Sequence, residues 1–166
     1  MHLDESLKMT GIQWHDIRLR AGQLSAAHAD RASLMNAIID ILWDALSPHG
    51  VSWIGFYLDN PHQPDALRLT LGPRRNTAAC SPIGLHGACG RCLLSRRILV
   101  VDDVRKLGAA YIACDPRDLS ECVVPCLQGD GSAWAVLDVD SHLLGHFTAE
   151  YGDNLGKVLT AAGLTV

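Results

Sequence analysis

The sequence predicts an α+β domain in which an antiparallel sheet carries helices packed mainly on one face. Three observations predict it. Apolar residues recur at helical spacing between positions 34 and 46, two pairs of short β-prone runs are each joined by a turn, and a final stretch again has helical character. The chain has 166 residues, of which 48 % are hydrophobic and 19 % charged, which fits one globular domain. Residues 1–10 read as a flexible end and residues 11–166 as the single domain.

Taken in order, Ile12 to Ala29 reads as a helix with a weak apolar face of Ile12, Leu19 and Leu24. Asp30 is a candidate N-cap for a second helix, along which Leu34, Ile38, Ile41, Leu42 and Leu46 recur until Pro48 and Gly50 end it. Val51 to Asp59 is rich in aromatic and β-branched residues and reads as a strand. Asn60-Pro61-His62-Gln63-Pro64-Asp65 turns the chain, and Ala66 to Leu71 returns as its hairpin partner. Pro73 to His86 reads as loop, Gly87 to Arg96 as a short helix and Ile98 to Val101 as a short strand. A long irregular loop follows from Asp102 to Ser120. Glu121 to Leu127 and Ser132 to Val139 form a second hairpin turning at Gly129-Asp130-Gly131, and Thr148 to Ala162 closes the chain as a helix.

Composition limits the function. The formal net charge is −4 and no more than two Lys/Arg residues are adjacent, which argues against a nucleic-acid partner. No segment approaches the ~18 apolar residues of a membrane span, and the N-terminus lacks the pattern of a secretory signal. A cytoplasmic protein is expected. In a reducing compartment its six cysteines (Cys80, Cys89, Cys92, Cys114, Cys122 and Cys126) are not three structural bridges.

Strand alternation puts Trp53 and Tyr57 on one face, and Asp138 with Asp140 on one face. Two readings of the acids stay open. They either mark a solvated strand end, with the aromatics as core, or form an acidic cluster that receives an ammonium group beside aromatic walls. Glu121 opens the partner strand, and hairpin register decides whether it joins them. Cys114 and Cys80 lie in loops, and Cys89 stands at a helix start, where the macrodipole favours a thiolate. Cys122 and Cys126 share one face of an apolar strand and read as packing residues. Cys89-x-x-Cys92 has zinc-like spacing, but residues four apart in a strand lie roughly 13 Å from each other, so Cys122 and Cys126 do not complete such a site. No metal and no cofactor is expected. The eight histidines, including His142 and His146, read as surface residues.

Seven segments occur in order: Trp53-Ile54-Gly55-Phe56-Tyr57-Leu58, Leu71-Gly72-Pro73, Ala79-Cys80-x-x-Ile83, Gly87-Ala88-Cys89-Gly90, Ile112-Ala113-Cys114-Asp115, Ser120-Glu121-Cys122-Val123-Val124-Pro125 and Val136-Leu137-Asp138-Val139-Asp140-Ser141. Together they resemble the GAF-domain free methionine-(R)-sulfoxide reductases from about Ile12 to the last helix. The resemblance implies a GAF fold with a loop-covered pocket. It also implies an oxidoreductase that is a cytosolic homodimer, takes free methionine sulfoxide and is reduced by thioredoxin or a similar dithiol. By the same resemblance Cys114 is the nucleophile that becomes a sulfenic acid, and Cys80 and Cys89 resolve or relay the disulfide. Glu121, Asp138 and Asp140 bind the substrate between the aromatic walls Trp53 and Tyr57. Cys92 has no counterpart in the family pattern. The alternative is a non-catalytic GAF domain that senses a small molecule or redox state.

Overall fold

The computed structural model describes residues 11–76, 79–112 and 114–166. The expected flexible end, residues 1–10, lies outside the described residues. Helix α1 spans Trp14–Ala27 and α2 spans Arg31–Leu46. Strand β1 (Val51–Asp59) follows, then β2 (Leu69–Arg75), α3 (Ala88–Ser95), β3 (Leu99–Val101), β4 (Ser120–Leu127), β5 (Ala133–Ser141) and α4 (Ala149–Ala161). The five strands form one antiparallel sheet in the order β2-β1-β5-β4-β3.

The second helix starts as its sequence dictates. The Asp30 carboxylate accepts from the Ser33 N–H at 2.8 Å, satisfying a donor that the first turn leaves unpaired. Thr148 caps α4 in the same way, accepting from the Tyr151 N–H at 3.2 Å. Helix α1 differs from the expected amphipathic face. Its buried residues are Ile17 and Ala21, and Leu19 faces solvent.

Strand β2 runs from Leu69 to Arg75 rather than from Ala66 to Leu71. The residues before it, Asp65–Leu67, wind into a 3-10 turn, and the ladder continues through Gly72 and Pro73. The loop after β3 is also more ordered than expected, with 3-10 turns over Val104–Ala110 on either side of Gly108, whose φ of +55° suits a residue without Cβ.

Two apolar layers sandwich the sheet. On one face α1, α2 and α4 bury Ile38, Leu42, Ile54, Phe56, Leu137 and Leu155 among others. On the other, α3 and the long loops cover a smaller layer around Leu69, Cys92, Leu93, Val123 and Val136. The helices are therefore mainly on one face, and the second face is left for a cleft. Among the described residues no helix is long and apolar enough to cross a membrane.

Candidate functional site

The cleft lies on the face with fewer helices. Register builds it row by row, since directly paired residues in an antiparallel sheet share a face. Asp140 pairs with Trp53 on one side and Glu121 on the other. One row on, Asp138 pairs with Gly55 and with Val123, and the next places Tyr57 opposite Val136. Pairing across β4 thus answers what the hairpin sequence leaves open: Glu121 joins Asp138 and Asp140.

Gly55 makes room for this arrangement. A Cβ there would lie 2.4 Å from the Trp53 ring. Only glycine lets the indole lie along the sheet over the next position of its own face. Trp53 and Tyr57 then form one wall, their ring centroids 6.0 Å apart and their planes tilted by 31°. The Tyr57 hydroxyl donates to the Cys80 carbonyl at 2.8 Å, tying that wall to the loop above it.

The acids do not mark a solvated strand end. Asp138 is mid-strand and Glu121 is at the start of β4, each 7 % exposed, and Asp140 is partly open to the cleft. One oxygen from each of the three lies within 4.8 Å of the others. Burial comes first in raising all three carboxyls above the usual carboxylate range. The charge of Asp118 raises all three further, and Asp138 adds to the rise at Glu121 and Asp140. Asp138 Oδ1 and Trp53 Nε1 are buried without a hydrogen-bond partner. A buried polar atom with no partner is costly, so the cleft presents an acceptor and a donor whose pairing a ligand can complete. Three convergent oxygens between apolar walls match the three donors of an ammonium group.

The cleft encloses about 480 Å³ including its open mouth, and Cys114 lines it together with the acids and both aromatics. Cys114 is joined to Cys80 by a disulfide, with Cα atoms 5.5 Å apart. Cys89 is also in the cleft wall, on the first turn of α3. Its thiol differs from the expected helix-start thiolate. Burial, and then the charges of Asp138, Glu121 and Asp140, push it well up. Desolvation and three acids outweigh the partial charge of a helix end.

The remaining thiols are buried. Cys92 Sγ donates to the Val123 carbonyl at 3.5 Å beneath α3. Cys122 and Cys126 lie on the opposite face of the sheet in the helix-covered core, their thiols raised to about 12 by burial.

Ile83 and Ile112, which stand in the segments quoted above, line the cleft, and so do Tyr111 and Asp118, which carry no signal in the sequence. Asp118 sits in Asp115-Pro116-Arg117-Asp118, a run that reads as turn chemistry. In the fold Asp118 is buried and its carboxylate accepts from the Ser52 hydroxyl at 3.0 Å. His142 is likewise more than a surface histidine. Its Nε2 lies 3.2 Å from Asp115 Oδ2 and 3.4 Å from Asp118 Oδ1. Nothing short of the fold brings position 142 beside position 115.

No family model matches the chain. It is similar to the solved "structure of the GAF domain", with a TM-score of 0.82 and 25 % identity over 99 % of this chain and 91 % of that one. Fold and cleft therefore define a GAF-fold protein with a disulfide over an acidic, aromatic-walled pocket. The reduced form of fRMsr of Staphylococcus aureus has a TM-score of 0.81 and 27 % identity over 92 % of this chain and 94 % of that one. The free methionine-R-sulfoxide reductase of Saccharomyces cerevisiae is 31 % identical over 125 residues, which are 72 % of this chain and 68 % of the yeast protein. The chain belongs to the family of free methionine-R-sulfoxide reductases, a family of oxidoreductases.

Proposed function

We propose that the protein reduces free methionine-(R)-sulfoxide to methionine, with Cys114 as nucleophile. The observation that supports this best is that a single cleft is lined by a redox-capable cysteine, three convergent carboxyls and two aromatic rings. In this reading the substrate ammonium sits among Glu121, Asp138 and Asp140. Ala88 and Cys89 line the cleft at the first turn of α3, whose unpaired N–H groups suit the substrate carboxylate. The methylsulfinyl end rests against Trp53 and Tyr57.

The raised carboxyls supply the proton. A protonated acid of the trio donates to the sulfoxide oxygen as the Cys114 thiolate attacks. The S–O bond of the substrate breaks, methionine leaves reduced by two electrons, and the protonated oxygen passes to the Cys114 sulfur, which becomes a sulfenic acid. The Cys80 thiol then condenses with it, forming the Cys80–Cys114 disulfide and releasing water. A thioredoxin-like dithiol exchanges with that disulfide, becomes oxidised itself and returns both thiols. This reading expects a cytoplasmic homodimer as the working form.

Purified protein with excess dithiothreitol should form methionine from the free R sulfoxide and leave the S and peptide-bound forms untouched. Cys114→Ser should abolish turnover, by about a thousandfold or more. Wild-type turnover by that variant would remove Cys114 from the role.

A further inference from the structure

Cys114 sits in the loop between β3 and β4, and Tyr111 and Ile112 just before it pack against the smaller apolar layer. The bond to Cys80 anchors it covalently, but the reaction proposed above breaks that bond in every cycle. Among the described residues, the polar anchors nearest Cys114 that survive reduction lie just after it. The Leu119 N–H donates to the Ser141 carbonyl at 2.9 Å, fixing the far end of the loop to the end of β5. Closer to Cys114, Asp115 is gripped by Arg117 through its backbone N–H at 3.0 Å and its guanidinium at 2.9 and 3.0 Å. Arg117 belongs to the same loop and is largely exposed, so this grip shapes the loop without fastening it to anything else.

His142 does fasten it. This residue follows directly on β5, two positions beyond Asp140. We infer that His142 is a positioning residue: its imidazole Nε2 bridges the carboxylates of Asp115 and Asp118 and holds the loop bearing Cys114 against the end of β5 once the disulfide is open. The inference rests on Cys114 being the nucleophile. Asp115 and Asp118 are three residues apart, and their side chains are 13 % and 8 % exposed. Two such carboxylates repel, and a donor between them relieves the repulsion. Around this bridge stand Arg117 on the loop and Ser52 on β1, whose hydroxyl supports Asp118. Behind Asp118 lie Glu121, Asp138 and Asp140, which feel its charge. One imidazole therefore sets both the nucleophile's loop and the fourth acid of the cleft.

A partly exposed imidazole–carboxylate contact adds little to stability, so the effect belongs in the rate. Misplacing a reacting group by about 1 Å can cost on the order of a hundredfold. His142→Ala should lower kcat on the order of tenfold to a hundredfold, with KM and the melting temperature nearly unchanged. His142→Gln places an amide donor where Nε2 stood and should recover most of the loss. The same loss should appear in a single turnover, when pre-reduced enzyme meets methionine sulfoxide without added reductant. An unchanged kcat in His142→Ala overturns the inference, and so does a loss that tracks a fall in melting temperature and is not rescued by Gln.

Alkylation separates this idea from the proposed reaction. Reduced protein is treated with iodoacetamide and Cys114 labelling is followed by peptide mass. His142→Ala should label faster than wild type at Cys114 and equally at Cys80, whatever the substrate. Equal Cys114 rates sink the positioning role even if turnover depends on Cys114. Cys114→Ser that turns over normally sinks the nucleophile and leaves the alkylation result to judge the loop.

Discussion

The two faces of the sheet are built from the same strands and bury their side chains almost equally, yet they differ in chemistry. On the helix-covered face β4 presents Cys122, Val124 and Cys126, and β5 presents Leu137 and Val139, all buried in apolar surroundings. One residue away in each strand, the cleft face presents Glu121, Asp138 and Asp140. Period-two alternation sorts neighbours in sequence into two environments. On one face burial stabilises the fold. On the other it works against the charged form of three carboxyls and keeps them ready to carry protons.

Glu121 and Cys122 give the sharpest test of this division, being adjacent in sequence and opposite in facing. Glu121→Gln should lower kcat by 10²- to 10⁴-fold if Glu121 shares in the proton transfer, with no loss of melting temperature. Cys122→Ala should leave kcat/KM intact and cost about 1 kcal/mol of stability through the small cavity it leaves. Steady-state kinetics and thermal melts on both variants check the pair. If the two variants exchange effects, the faces do not divide the work as described.

A second contrast concerns pH. Glu121, Asp138 and Asp140 have raised folded-state values, so their protonated forms favour folding. Their contribution is complete below the ordinary carboxylate range and is lost as pH rises through the raised values. Asp115 runs the other way. Arg117, through its guanidinium and backbone N–H, and then His142 hold its carboxyl well below the usual range. Its contribution is present above the ordinary carboxylate value and is lost as pH falls toward the lowered one. Denaturant melts should therefore show wild type losing stability between about pH 5 and pH 8. Asp138→Asn should flatten that slope and gain on the order of 1 kcal/mol at pH 8. A slope as steep in Asp138→Asn as in wild type would mean that burial at Asp138 does not work against its charge.

Much of this division was legible in sequence. The spacing of Trp53 with Tyr57, and of Asp138 with Asp140, already put each pair on one face, because alternation is local. The capping of α2 by Asp30 was legible for the same reason. What lay between strands was not. Hairpin register, which brings Glu121 opposite Asp140, depends on how the turn is built. The disulfide partner of Cys114 stands 34 residues away, and no spacing rule chooses Cys80 over Cys89. Asp118 and His142 were missed because a loop acid and a histidine after a strand carry no periodic signal. Only packing brings them together. At Cys89 the helix macrodipole is a real force outweighed by a larger one, desolvation beside three acids.

Cys89 sharpens the comparison further, since it is a buried thiol like Cys122 but on the acidic face. The disulfide leaves it out, and it lines the cleft with Asp138. A raised thiol makes a poor nucleophile, which predicts that Cys89 serves the cleft wall and does not exchange electrons. Cys89→Ala should then cost only about fivefold in kcat/KM, roughly 1 kcal/mol, the smallest loss of activity among the cleft variants. Substrate-treated Cys89→Ala should still show the Cys80–Cys114 linkage by peptide mass, and should turn over repeatedly with dithiol. A relay role predicts otherwise: one methionine per enzyme, followed by arrest with the disulfide unreduced. That arrest would move Cys89 from the wall of the cleft into the path of the electrons.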